Sequence, residues 1–77
     1  MRQFAHATTR ASLNIELLED DVQIIGKTLR IYWVEVSVKY NASRDNVDKE
    51  VLQTSAKVES RDLALKMYDR MKEGYGI

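Results

Sequence analysis

Gly26-Lys27-Thr28 has the ending of a phosphate-binding loop, in which backbone N–H groups and a lysine cradle phosphates. That motif needs another glycine five residues before Gly26, where this chain has Asp21. It should also open a helix, whereas Thr28–Tyr40 is β-branched and aromatic and reads as a strand, so the tripeptide is expected to be a hairpin turn. Glu19-Asp20-Asp21 offers adjacent hard oxygens to a divalent cation. With no EF-hand spacing and no second ligand cluster beside it, its expected role is a solvated turn. His6 is the single histidine and lacks a cysteine partner, a paired histidine or a serine–aspartate context, so it is expected on the surface. Asn41-Ala42-Ser43 matches a glycosylation sequon, which has physical meaning only in an exported chain. No catalytic set, metal site or cofactor is expected, and the chain reads as non-enzymatic.

Composition narrows the classes further. Twelve basic and twelve acidic residues cancel, so no global field draws the chain to nucleic acid or acidic lipid. Cysteine is absent, which removes disulfides, thiolate sites and cysteine nucleophiles and fits a reducing compartment. No apolar run approaches the ~20 residues of a membrane span, and MRQFAHATTRA lacks the apolar core of a signal peptide. A cytoplasmic, soluble chain without membrane contact is the expectation. At 77 residues it should form one domain near the lower limit for a self-sufficient core.

The elements that would position any site follow from periodicity. Residues 1–10, with Phe4 as their one large apolar anchor, are expected as an N-terminal arm, poorly ordered unless tied down; an added strand is the alternative. Residues 11–77 are expected as one ββββα domain. Leu13, Ile15 and Leu17 alternate with Ser12, Asn14 and Glu16, a half-buried strand. After the acidic turn, Val22–Ile25 forms a short strand, and Gly26-Lys27 suits a type II′ hairpin turn. A continuous strand from Val22 to Tyr40, kinked at Gly26, is the alternative. Thr28–Tyr40 is then the long central strand.

Its alternation changes phase, from Leu29, Ile31 and Trp33 to Val34, Val36 and Val38. A β-bulge near Trp33–Val34 would bring both sets onto one side, leaving Arg30, Tyr32, Glu35, Ser37 and Lys39 solvated. The other solution covers both faces in the first half, by Phe4 or by a second subunit. Asn41–Asn46 has loop composition, and alternation returns from about Asp48 to Glu59. Ser60 is the expected helix N-cap, Gly74 the expected C′ residue, and Leu63, Met67, Met71, Ala64 and Tyr68 the apolar stripe. The fold class is therefore α+β: a small antiparallel sheet of three to four strands with one C-terminal helix on one face.

Two surfaces of that sheet are candidate sites. Arg30, Tyr32 and Trp33 on the central strand form the expected protein-binding set, since tyrosine, tryptophan and arginine are enriched where interface energy concentrates. Lys39, Arg44 and Lys57, with Lys49, form the alternative nucleic-acid set. A sheet followed by a helix over residues 28–74 resembles, in element order, the AP2-type and integrase arm-binding modules and truncated double-stranded-RNA-binding domains. That resemblance implies a sheet face that reads nucleic acid, although it carries no shared motif. Here Glu35, Asp45, Asp48, Glu50 and Glu59 are interleaved with the basic residues, which weakens a phosphate-tracking surface.

The function expected from these features is a small non-enzymatic protein-binding or regulatory module, adaptor- or inhibitor-like and of the kind mobile elements encode. It would act through its sheet surface on another protein or on a second copy of itself. A nucleic-acid-binding module is the alternative, and an enzyme subunit without catalytic residues of its own is a third reading.

Overall fold

In the computed structural model, which describes residues 1–9, 12–41 and 47–77, the alternating segments become strands and the Ser60-capped segment a helix. The strands are β1 (Arg2–Thr8), β2 (Leu13–Ile24), β3 (Lys27–Asn41) and β4 (Val47–Thr54), and helix α1 spans Arg61–Gly74. The strands pair antiparallel in chain order, and α1 packs across β2 and β3. This is the α+β sheet-and-helix fold that the periodicity implies.

The helix-side core joins Ile15 and Leu17 of β2, Tyr32, Val34 and Val36 of β3, and Ala64 and Tyr68 of α1. Side chains two apart on a strand share a face. Odd positions of β2 and even positions of β3 therefore look toward the helix, while even positions of β2 and odd positions of β3 look away from it.

Several details differ from the expectation. Residues 2–8 form the added strand that is the alternative to a loose arm, because they have specific partners on β2. Arg2 Nε donates to Glu19 Oε1 at 2.9 Å, and Ala5 and Ala7 pack on the core. Phe4 is the extra residue where the register steps from Gln3↔Leu18 to Ala5↔Leu17; its ring meets Tyr32 edge-on at 6.5 Å.

The acidic triplet does not turn. Glu19, Asp20 and Asp21 pair with Tyr32, Ile31 and Arg30, and Arg2 and Arg30 neutralise Glu19 and Asp21 across the strands. Strand geometry is tolerated there because each charge on the helix side meets an opposite one. The reversal comes at Ile25-Gly26, with φ of 47° and 74°, the positive pair of a type I′ turn rather than the expected type II′ at Gly26-Lys27. For Ile25, a β-branched residue, the left-handed region costs about 1–2 kcal/mol.

The central strand has no bulge at Trp33–Val34. Its register with β2 is unbroken from Leu13↔Val38 to Ile24↔Lys27. The slip lies against β4 instead, where Val36↔Gln53 is followed by Ser37↔Val51. Tyr32 is consequently a core residue, and Trp33 belongs to the opposite face.

The strand expected to run to Glu59 ends at Thr54. Ser55 then satisfies both backbone groups of Val34: its N–H donates to the carbonyl at 2.9 Å, and its Oγ accepts the amide at 2.8 Å. Val58 bridges Tyr32 further along, so Ala56 and Lys57 stand opposite Trp33 alone. The loop expected over Asn41–Asn46 lies, beyond Asn41, outside the described residues.

In α1, Ser60 Oγ accepts the Leu63 amide at 3.1 Å, as its position implies. The stripe is rotated from the expected one: Ala64 and Tyr68 are buried, Leu65, Met67, Met71 and Tyr75 flank them, and Leu63 is 47% exposed. Tyr75 extends the contact one turn because Gly76, not Gly74, takes the left-handed position, at φ 81°. Gly76 and Ile77 amides bond back to Glu73 and Lys72, the two links of a Schellman closure.

Candidate functional site: the open face of the sheet

β1 makes its last pair at Arg2↔Glu19, and on the other side of β3 the last bridge is Tyr32↔Val58. From Asp20↔Ile31 to Ile24↔Lys27 the β2–β3 hairpin therefore runs on as a two-stranded ribbon among the described residues. It lengthens a molecule whose principal extents are 43 × 30 × 16 Å.

The ribbon has two unlike faces. The helix-side face carries Asp21, Gln23, Thr28 and Arg30, and Arg30 Nε donates to Asp21 Oδ1 at 3.1 Å. That hydrogen bond, with a second from Arg2, holds the Asp21 carboxyl below its ordinary value. The open face carries Val22, Ile24, Leu29 and Ile31, with Asp20 and Lys27 among them. Ile24 is 49% exposed, and Ile25 at the tip is 97% exposed.

Toward the body the open face continues into Leu18 and Trp33, which are register partners and buried. Trp33 is 7% exposed, and the Lys57 ammonium lies 5.0 Å from its ring centroid. Beyond them Glu16 and Glu35 face each other across the strands, an arrangement that repels unless a cation intervenes. Lys49 intervenes, ion-paired with Glu35 and 3.8 Å from Glu16. The hydrogen bond to Glu35 raises the Lys49 pKa above its ordinary value, against the opposing effect of burial. Ser37 is buried beside this group.

The expected protein-binding set is thus divided between faces. Arg30 is on the helix-side face of the ribbon, Tyr32 in the core, and Trp33 on the open face under Lys57. Leu29, Ile31 and Trp33 are the apolar set that the sequence offers to a partner if β3 has no bulge, and they lie together on the open face; Val22 and Ile24 of β2 are the residues that reading does not join to them. A signal for them exists in both strands: Leu18, Val22 and Ile24 are out of phase with Leu13, Ile15 and Leu17, and β3 changes phase opposite them.

Of the basic set, Lys39 and Lys57 share the open face, Lys49 is neutralised there, and Arg44 lies outside the described residues. His6 is exposed, with Nε2 2.9 Å from Asn14 Oδ1. Among the described residues, no group of three or more histidine or acidic side chains is arranged to hold a metal ion, and no helix is long and apolar enough to cross a membrane. Comparison with protein-family models, with curated proteins and with solved structures returned no match to this chain.

Proposed function

We propose that this chain is a small non-enzymatic protein-binding module, regulatory in the manner of an adaptor or inhibitor, that works in the cytoplasm through the open face of its sheet. The observation that carries this reading is the apolar face of the ribbon, Val22, Ile24, Leu29 and Ile31, on the side away from α1. Covering such surface returns about 25 cal/mol per Å2, and contiguous apolar patches on otherwise polar molecules mark contact sites. Exposed Ile24 and Ile25 at the tip add to the same surface.

The alternative, a nucleic-acid-binding module, draws its support from Lys39, Lys49 and Lys57 on the same face as Trp33. Against it, Glu16 and Glu35 take up Lys49, so few phosphates could be neutralised.

The test is capture by a tagged chain from native lysate that also contains the untagged chain, with and without nuclease. Wild type and Leu29→Asp serve as parallel baits. Protein retained after nuclease by wild type and lost from Leu29→Asp is the expected result. Equal retention by both baits, or loss of every partner on nuclease treatment, overturns the reading.

A further inference from the structure

We infer that the open face of the ribbon is self-complementary and that its occupant is a second copy of this chain, packed antiparallel about a two-fold axis at the Val22↔Leu29 pair. The inference rests on the protein-binding reading above and names its partner.

The complementarity is read from the register. The pairs on the open face run Leu18↔Trp33, Asp20↔Ile31, Val22↔Leu29 and Ile24↔Lys27, with Ile25 at the tip. A two-fold axis at the third of these lays Val22 and Leu29 of one copy on the same residues of the other. The Asp20↔Ile31 pair then meets the Ile24↔Lys27 pair. Asp20 then faces Ile24 and Ile31 faces Lys27, and at the same level each Lys27 ammonium stands diagonal to an Asp20 carboxylate, within reach of the lysine stem. The tip reaches the Leu18–Trp33 level, where Trp33 already carries Lys57. One acid, one base and an apolar centre placed symmetrically about one pair are what an isologous interface needs. The Asp20 carboxylate is available for this: its side chain is 44% exposed, and its one ion pair among the described residues, with the N-terminal ammonium, is a surface contact at 3.4 Å.

The tip supplies a second observation. Ile25 holds a left-handed backbone and is 97% exposed, so within one chain this side chain packs on nothing and gains nothing for its conformation. Asparagine before Gly26 would suit the turn better. An unfavourable backbone carrying an exposed apolar side chain points to a gain outside the chain.

A two-stranded face makes an interface at the small end of the known range, so the dimer should dissociate on dilution. The experiment is sedimentation of the purified full chain from about 1 mM to about 1 μM, a window that spans weak association. Wild type, Asp20→Lys, Lys27→Glu and Ile25→Asn are compared, each checked for native circular dichroism. Wild type should pass from dimer to monomer. Asp20→Lys and Lys27→Glu should each weaken association at least tenfold, as should Ile25→Asn, which leaves both charges in place. An equimolar mixture of Asp20→Lys and Lys27→Glu should recover the dimer as a heterodimer, since both cross-contacts are then of opposite sign. A wild-type chain monomeric throughout, or a dimer indifferent to all three substitutions, overturns the inference. If the monomeric chain still captures another protein in a Leu29-dependent way, the binding reading stands and only the second copy falls.

Discussion

One hairpin serves two regions of this molecule on opposite terms. In the body, β2 and β3 bury Ile15, Leu17, Val34 and Val36 toward α1, and the opposite face holds polar Glu16, Glu35 and Ser37. In the ribbon the same two strands put Asp21, Gln23 and Arg30 on the helix side and Val22, Ile24, Leu29 and Ile31 on the other. The exchange occurs in both strands at one level, between the Leu17↔Val34 and Leu18↔Trp33 pairs, where both faces are buried. A strand need not keep one apolar side along its length. Its apolar side follows the helix only where the helix packs on it, and in the ribbon the apolar residues stand on the side away from α1.

The largest test of this contrast compares one leucine from each region. Leu17→Ala removes a fully buried side chain beneath the helix and should cost about 2–5 kcal/mol, the range for large-to-small core changes. Leu29→Ala, on the ribbon, should cost about 1 kcal/mol or less in the monomer. Urea unfolding at low protein concentration measures both. Equal losses would mean that the ribbon is packed as firmly as the body and that the contrast is false.

A smaller effect separates the regions by pH. Lys49→Met leaves Glu16 and Glu35 facing each other without a cation and should cost about 1–3 kcal/mol. The Lys49 pKa is raised in the folded chain, so its stabilisation is complete below the unfolded value of about 10.4 and is lost as pH rises through the folded one. The Tyr68 pKa is raised as well, chiefly by burial, so the quantity to follow is the difference between wild type and Lys49→Met. That difference should shrink in strong alkali. Asp21 is the ribbon's counterpart with the opposite sign: its pKa is lowered, chiefly by Arg30, so its contribution holds above about pH 3.9 and fades in acid. A Lys49→Met variant as stable as wild type at neutral pH would remove the ion pair from the account of the body.

Much of the body was legible because alternation there has a single covering layer. Ile15 and Leu17 read correctly as buried on one face, with Leu13 half-buried in the same phase, and Ser60 as the helix cap. The ribbon was not legible for three physical reasons. Glu19-Asp20-Asp21 has turn composition, and the pairing with β3 that keeps it extended is joined by the cross-strand cations Arg2 and Arg30, which the local sequence does not show. Ile25 is a residue that local preference keeps out of a type I′ turn, so the reversal was placed one residue late. In β3 alone the phase change at Trp33–Val34 suits a bulge; with β2 beside it, the matching change shows the apolar side of the hairpin changing over in both strands at one level. The same step puts Tyr32 on the solvated face, and for Phe4 one aromatic in ten residues has no period that would show its contact with Tyr32.

The smallest effect is also the one that isolates the tip. Ile25→Asn supplies a residue that accepts positive φ, next to Gly26, which already does. Because the Ile25 side chain is fully exposed, its removal breaks no contact within the chain, and relief of the strained backbone should raise monomer stability by about 1 kcal/mol. Ile25→Ala is the necessary comparison. It removes most of the apolar surface but keeps a Cβ in the left-handed region, so it should gain less. The two variants therefore separate backbone strain from side-chain exposure, which wild type combines. Thermal unfolding at the dilute end of the concentration range measures the monomer alone. A loss of stability in Ile25→Asn would show that the tip is packed within its own chain, and the ribbon would then belong to the body after all.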